Sequence, residues 1–210
     1  EMNPVDEQLA EVAAYGEKMP GEQGSPEWMA ARLGNCTASR FKDVMDFLKK
    51  GGEGAKRAGY RMELVIERLT GVSVDHFVSD AMQWGTDNEP AARMAYEALT
   101  GAMVMVPGYT PHPTIAKCGG SIDGTVDDDG MIEIKCPTTA THIKTLLSKD
   151  CEHLPQIQGY LWITVRQWCD FISYDPRLPD GLQLYVQRID RDDTYIAELA
   201  GNVIQFLSEV

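Results

Sequence analysis

The 210 residues are 43% hydrophobic, enough for one well-packed core, and their length fits a single domain over residues 1–210. No run reaches the roughly 18 apolar residues of a membrane span, and the acidic opening EMNPVDEQLAEVAAYGEK lacks the basic start and apolar middle of a signal peptide. A cytoplasmic location is therefore expected. The five cysteines, Cys36, Cys118, Cys136, Cys151 and Cys169, are scattered and never form a CxxC pair, which points to reduced thiols and away from disulfides or a zinc or iron–sulfur site.

A net charge of −13 argues at first against nucleic acid, whose phosphates call for Lys and Arg. The distribution qualifies that. An acidic N-terminal segment covers residues 1–24, and residues 170–210 carry a net of −5, whereas residues 40–61 carry a net of +4 around a basic, Gly-rich loop at residues 49–59. An acidic body with one basic insert can meet a phosphate backbone locally, although a solvated loop would read the same way.

In chain order, Ser25-Pro26 predicts a capped short helix PEWMAARL closed by Gly34, followed by a second helix from about Thr37 to Lys50. A third, YRMELVIERLT, ends at Gly71 with an apolar face of Met62, Leu64, Val65, Ile66 and Leu69. DNEPAARMAYEALTG reads as a helix capped by Asp87 or Asn88, placing Glu89 in its first turn. The period then becomes two. AMVMV, IAKCGGSIDGTV and GMIEIKC read as strands, EHLPQIQGYLWITVR as a helix, WCDFISY and LQLYVQRI as strands, and residues from Asp192 or Asp193 onward as a closing amphipathic helix. The expected architecture is α/β or α+β, a central mixed β-sheet flanked by helices, with a helical crossover between GMIEIKC and WCDFISY.

The stretch SIDGTVDDDGMIEIKCP carries the chemistry. If Asp128-Asp129-Gly130 form the hairpin loop with Gly130 left-handed, Thr125 pairs with Glu133 and Asp123 with Lys135, all on one face. Asp123 and Glu133 would then be diagonal neighbours within reach of one bridging cation. Oxygen ligands suit Mg²⁺ or Mn²⁺, and Lys135, with a pKa lowered beside the metal, could orient a water or stabilise a phosphoryl oxygen. Those parts fit metal-dependent phosphodiester hydrolysis. A surface salt-bridge ladder is the plainer reading of an ExK pattern alone. A glutamine and a tyrosine at Gln156 and Tyr160 share a helix face.

The ordered set ARLGNCTAS, WGTDNEPAAR, SIDG, EIKCP, QIQGYLWIT and YDPR resembles the phage lambda exonuclease family, the viral recombination alkaline exonucleases of the PD-(D/E)xK nuclease superfamily. The resemblance runs from about Trp28 to Phe206 and implies a restriction-endonuclease-like core. It implies that Asp123, Glu133 and the main-chain carbonyl of Ile134 bind metal, that Glu89 completes a two-Mg²⁺ site through water, and that Lys135, Gln156 and Tyr160 serve catalysis. Arg32, Ser39 and Ser121 stand where the family binds a 5′-terminal phosphate, and Met82 where it has an apolar strand-separating wedge. Lys49, Lys50, Lys56 and Arg57 would track the duplex. One family arginine is missing, with Thr141 and His142 in its place and Lys144 as a possible substitute. The implied activity is Mg²⁺-dependent 5′→3′ degradation of one strand of linear double-stranded DNA, by a ring-shaped homotrimer working with a phage single-strand annealing protein. An endonuclease of the same superfamily and a non-catalytic DNA-end-binding subunit are the alternatives.

Overall fold

A computed structural model describes Gly21, residues 23–74 and residues 79–210, so nearly all of the acidic N-terminal segment lies outside the described residues. The first helix, α1 (Pro26–Arg32), forms as its sequence predicts: Ser25 accepts a hydrogen bond from the Trp28 amide, Pro26 occupies the first turn, and Gly34 turns the chain with φ +67°.

The expected helix over 37–50 does not form. Instead Cys36–Thr37 make strand β1, Ala38–Arg40 a 3₁₀ turn, and Phe41–Val44 a single helical turn, α2. The chain folds back because Gly51 and Gly52 adopt positive φ and Phe47 bridges to Glu53 across the turn. The Gly54 amide donates to the Asp46 carbonyl, and the Asp46 carboxylate accepts from the Lys56 amide. Lys49, Lys50 and Lys56 remain exposed on this loop and the helix after it.

Helix α3 (Ala55–Thr70) ends at Gly71 as expected, but buries a different face. Its inner stripe is Arg57, Tyr60, Leu64 and Glu67, while Met62, Ile66 and Leu69 are exposed. Polar partners make this face the inner one. Glu67 accepts from the Gly34 amide at 2.9 Å, and the Tyr60 hydroxyl from the Thr37 amide at 2.9 Å. Arg57 donates to both Glu209 oxygens at 2.9 Å and lies over the rings of Phe47 and Phe206. The assignment of Arg57 to duplex binding is thereby corrected: at 2% exposure its guanidinium ties α3 to the C-terminal helix. Arg57→Ala is expected to destabilise the protein by about 1.5–3 kcal/mol through its lost charged hydrogen bonds, Arg61 remaining beside both Glu209 and Glu53, and to leave DNA affinity of the folded fraction unchanged. Urea unfolding and a duplex titration check the two halves separately.

Helix α4 (Asp80–Thr100) is longer than its sequence suggested. Ser79 caps it, Pro90 lies inside it, and Gly101 closes it, so Glu89 sits mid-helix rather than in a first turn. Two sheets follow. A small one has the order β1-β4-β3, with β4 at Cys118–Gly120 and β3 at Thr110–Pro111. The main one has the order β2-β5-β6-β7-β8: Val104–Met105, Gly124–Val126, Gly130–Lys135, Trp168–Tyr174 and Leu184–Asp190. Only its β6–β7 pair is parallel, and the crossover holds two helices, α5 (Thr139–Ser148) and α6 (Leu154–Thr164). The mixed sheet is as expected, while α5 and the separate small sheet are additions.

Helix α7 (Asp193–Glu209) closes the chain, with Asp192 capping it through bonds from the Thr194 and Tyr195 amides. It packs with α6 on one face of the main sheet, where Ile157, Leu161, Leu199, Val203 and Phe206 join Met131, Cys169 and Phe171. On the other face α4 contributes Ala92 and Tyr96 against Ile132, Ile134, Ile172 and Tyr174. All five cysteines are unpaired, and no helix among the described residues is long and apolar enough to cross a membrane.

Candidate active site

The β5–β6 hairpin pairs Gly124 with Ile132, Thr125 with Met131 and Val126 with Gly130. The expected register is therefore corrected by two residues: the loop is Asp127-Asp128-Asp129, and Asp127, with φ 47°, takes the left-handed position assigned to Gly130. Gly130 serves another purpose, because a Cβ there would sit 2.0 Å from the Trp168 ring. A slip of two preserves the faces, so Asp123 and Glu133 still share one. Asp123 lies just before β5 and accepts a 2.6 Å bond from the Ile134 amide, which locks it beside the end of β6.

Around that bond the predicted residues converge. Glu133 is 1% exposed and Lys135 Nζ approaches its Oε1 at 2.5 Å, yet neither Glu133 oxygen has a well-directed hydrogen bond. Glu89 reaches the same place from α4, where Arg93, one turn on, donates to it at 2.9 Å. From α6, Gln156 donates to the Tyr160 hydroxyl at 3.3 Å. The Tyr160 ring lies against Gly120, where a Cβ would approach it to 2.4 Å.

The electrostatics mark a cluster short of positive charge. Burial, then the Asp123 charge, raises Glu133 to about 8 despite Lys135. Burial and Asp123 likewise raise Glu89 to about 7, against Arg93 and Lys135. Asp123 is raised by burial, with Lys135, the Ile134 amide and Arg93 opposing. Burial alone would lower the pKa of Lys135, but Glu133 and Asp123 outweigh burial and push it up to about 12. Between these carboxylates, with no cation beside it, Lys135 is an ammonium.

Three acids sharing disfavoured charge, with both Glu133 oxygens short of well-directed hydrogen bonds, are what a divalent cation would relieve. Among the described residues no three His, Cys, Asp or Glu side chains form a ready-made cage. A cation would instead rest on Asp123 and Glu133, with the Ile134 carbonyl and water filling in and Glu89 acting at one remove, a sparse oxygen set of the kind Mg²⁺ accepts.

A cleft of about 860 Å³ is lined by Trp28, Arg32, Ser39, Arg40 and Met82 among others, and by none of the acids. Arg32 stacks over Trp28, and both donate to Ser121 Oγ, at 3.2 and 2.9 Å. Ser39 shares a 3.2 Å contact with Thr37. Met82 is 55% exposed, so it is not core filler. Of the residues offered for the missing arginine, only Lys144 carries a charge at the surface. His142 is fully buried between Ser173 and the Leu182 carbonyl, and Lys144 is largely exposed and paired with Glu152.

Sequence reasoning overlooked Trp28, Arg93 and the Asp175–Arg177 pair. For the first two a signal existed, since Trp28 and Arg32, like Glu89 and Arg93, stand four apart on a helix.

Residues 27–167 match the model of the YqaJ-like viral recombinase domain. Among solved structures the chain is similar to the alkaline exonuclease LHK-Exo from Laribacter hongkongensis, at 48% identity and TM-score 0.82 over 88% of this chain and 92% of that one. That enzyme has also been solved in complex with dAMP. A phage related exonuclease from Haemophilus somnus shares the fold at 15% identity, with TM-score 0.64 over 83% of this chain and 92% of that one. Comparison with curated proteins yields no significant match.

Proposed function

Because this chain belongs to the YqaJ-like viral recombinase family and is a nuclease homologue, we propose that it is a Mg²⁺-dependent 5′→3′ exonuclease. It degrades one strand of linear double-stranded DNA to 5′ mononucleotides, leaving a 3′ overhang for recombination. The observation that carries this reading is the convergence of Asp123, Glu133 and Lys135 at one end of the main sheet, with the two buried Glu133 oxygens answered by the Lys135 ammonium and by no well-directed hydrogen bond. The dAMP complex of LHK-Exo suits a mononucleotide product.

Asp123, Glu133, the Ile134 carbonyl and Glu89 would hold two cations, Mg²⁺ or Mn²⁺. When bound, these supply charge neutralisation on the phosphoryl oxygens and lower the pKa of water. Lys135 donates hydrogen bonds to charge developing on the phosphoryl group. Gln156, steadied by the Tyr160 hydroxyl, orients the attacking water. Arg32, Ser39 and Ser121 receive the 5′-terminal phosphate, with the Trp28 indole holding the guanidinium flat. Met82 parts the terminal base pair, and Lys49, Lys50 and Lys56 follow the duplex. In this reading the enzyme acts as a ring-shaped homotrimer that confines positive charge to a channel and hands its overhang to a phage single-strand annealing protein.

Digestion of a linear duplex labelled at each end, with phosphate or hydroxyl 5′ termini and in Mg²⁺ or EDTA, tests the reading. Mononucleotides released from 5′ ends only in Mg²⁺ support it, whereas cutting of a covalently closed circle favours the endonuclease alternative. Arg32→Ala is expected to raise KM about tenfold or more for phosphate-ended duplex while sparing hydroxyl ends, given the roughly 1.5–3 kcal/mol of a charged hydrogen bond. Steady-state kinetics on the two substrates decide it.

A further inference from the structure

The chain turns sharply after β7, at Tyr174-Asp175-Pro176-Arg177, and that turn is more heavily built than a surface loop requires. Asp175 is fully buried, and the Arg177 Nε and Nη2 grip its two oxygens at 2.7 and 3.0 Å. The Thr139 hydroxyl adds a 2.6 Å bond. Burial raises this carboxyl, but the bonds from Arg177 and Thr139 outweigh it and bring the pKa down to about 2. The Arg177 guanidinium also donates to the Pro137 carbonyl at 3.2 Å and lies 4.2 Å from the centroid of the Trp84 ring.

Three elements of the site therefore meet on the Asp175–Arg177 pair: the segment two residues beyond Lys135 and the helix that carries Glu89 on the guanidinium, and the first residue of α5 on the carboxylate. Because β6 and β7 are parallel, with Lys135 paired to Ser173, Arg177 emerges at the same end of the sheet as the acids. Neutralising Asp175 occupies Nε and Nη2 only. No hydrogen bond to Nη1 appears among the described residues, and the side chain is 44% exposed. A guanidinium held flat by an indole and fixed in rotation by a carboxylate gives up little freedom on gripping an anion.

Resting on the nuclease reading, we propose that Arg177 is a DNA-binding residue. Its Nη1 holds a backbone phosphate of the duplex beside the metal-binding acids, with Trp84 and Asp175 fixing its plane. Of the nearby basic side chains on α5, His142 is buried, and Lys144 stands in an exposed pair with Glu152 without the fixed plane of Arg177.

The test is equilibrium binding of a labelled linear duplex in EDTA across a salt series. It compares wild type, Arg177→Lys, and the double variant Asp175→Asn with Arg177→Met, in which no buried charge is stranded. The double variant is expected to bind about three- to tenfold more weakly, with the slope of log affinity against log salt reduced by about 1. Arg177→Lys should keep the slope and lose part of the affinity. A folded double variant with wild-type affinity and slope overturns the proposal, as does a loss confined to thermal stability, which would leave Arg177 as a partner for Asp175 alone. If the wild type itself binds no duplex at any salt, the nuclease reading falls and the phosphate contact with it.

Discussion

Lys135→Ala is expected to lower the rate of duplex cleavage by about 10²–10³-fold while leaving duplex affinity and metal uptake close to wild type. The physical ground is its place in the cluster. Lys135 is the one amine aimed at Glu133, and with its pKa pushed up to about 12 it carries its charge throughout the working range. Its loss removes a donor that would be most needed as charge builds on phosphorus, and it leaves the carboxylates free to take up cations at least as readily. Single-turnover kinetics beside calorimetric Mg²⁺ titration separate these effects. Unchanged chemistry would remove Lys135 from the mechanism, and a parallel collapse of metal binding would recast it as a structural partner of Glu133.

Glu133→Gln is expected to abolish cleavage and yet to stabilise the metal-free protein at alkaline pH. The folded Glu133 holds its proton up to about 8, whereas the unfolded residue releases it near the ordinary value of 4.5. Between those limits the folded state binds more protons than the unfolded one, so stability falls as pH rises through that window and the full loss is reached above about 8. Glutamine fills the same volume without the charge. In EDTA, wild-type Tm should drop between pH 6 and pH 9 and the variant's should drop less, each kcal/mol being worth roughly 2–4 °C at this size. Adding Mg²⁺ should restore the wild type at pH 9 and do little for the variant. Cleavage should fall by more than the about 10–100-fold seen when a group that merely supports a metal ligand is lost. A variant less stable at both pH values would mean that the pair with Lys135 outweighs the burial of the acid.

The parts of the molecule legible in its sequence are those where local chemistry and tertiary demand agree. Ser25-Pro26 and Asp192 mark their helices because the capping side chain and the helix start coincide. The apolar WCDFISY run marks β7 to the residue because both of its faces are covered. Elsewhere tertiary contacts override. The α3 face was misread because its burial is decided by Arg57 and Glu67 finding partners, information that lies 33 residues away at Gly34 and 152 away at Glu209. Asp87 or Asn88 looked like the cap and both are interior, because Ser79 caps the helix eight or nine residues earlier. Gly130 looked like the turn residue, but a ring lying on it claimed it first. The site itself was readable from Asp123, Glu133, Lys135, Gln156 and Tyr160, since a two-residue error in register leaves every side chain on its own face. Arg177 stood in the YDPR motif without a role, because nothing near it in sequence signals that Trp84 will arrive beside it.

Pro90 has a mechanical consequence. A proline has no amide hydrogen, so the Thr86 carbonyl loses its partner one turn earlier, and α4 is missing a rung beside Glu89. The buried residues of the helix, Ala92 and Tyr96, lie wholly on the far side of that gap. The half beyond the proline is anchored on the sheet by Ala92 and Tyr96, and the half before it is held at Trp84, which packs against the core and under Arg177. Glu89 thus stands at the one weakened turn between two anchors, where a bend of the helix would move its carboxylate before any other part of the cluster.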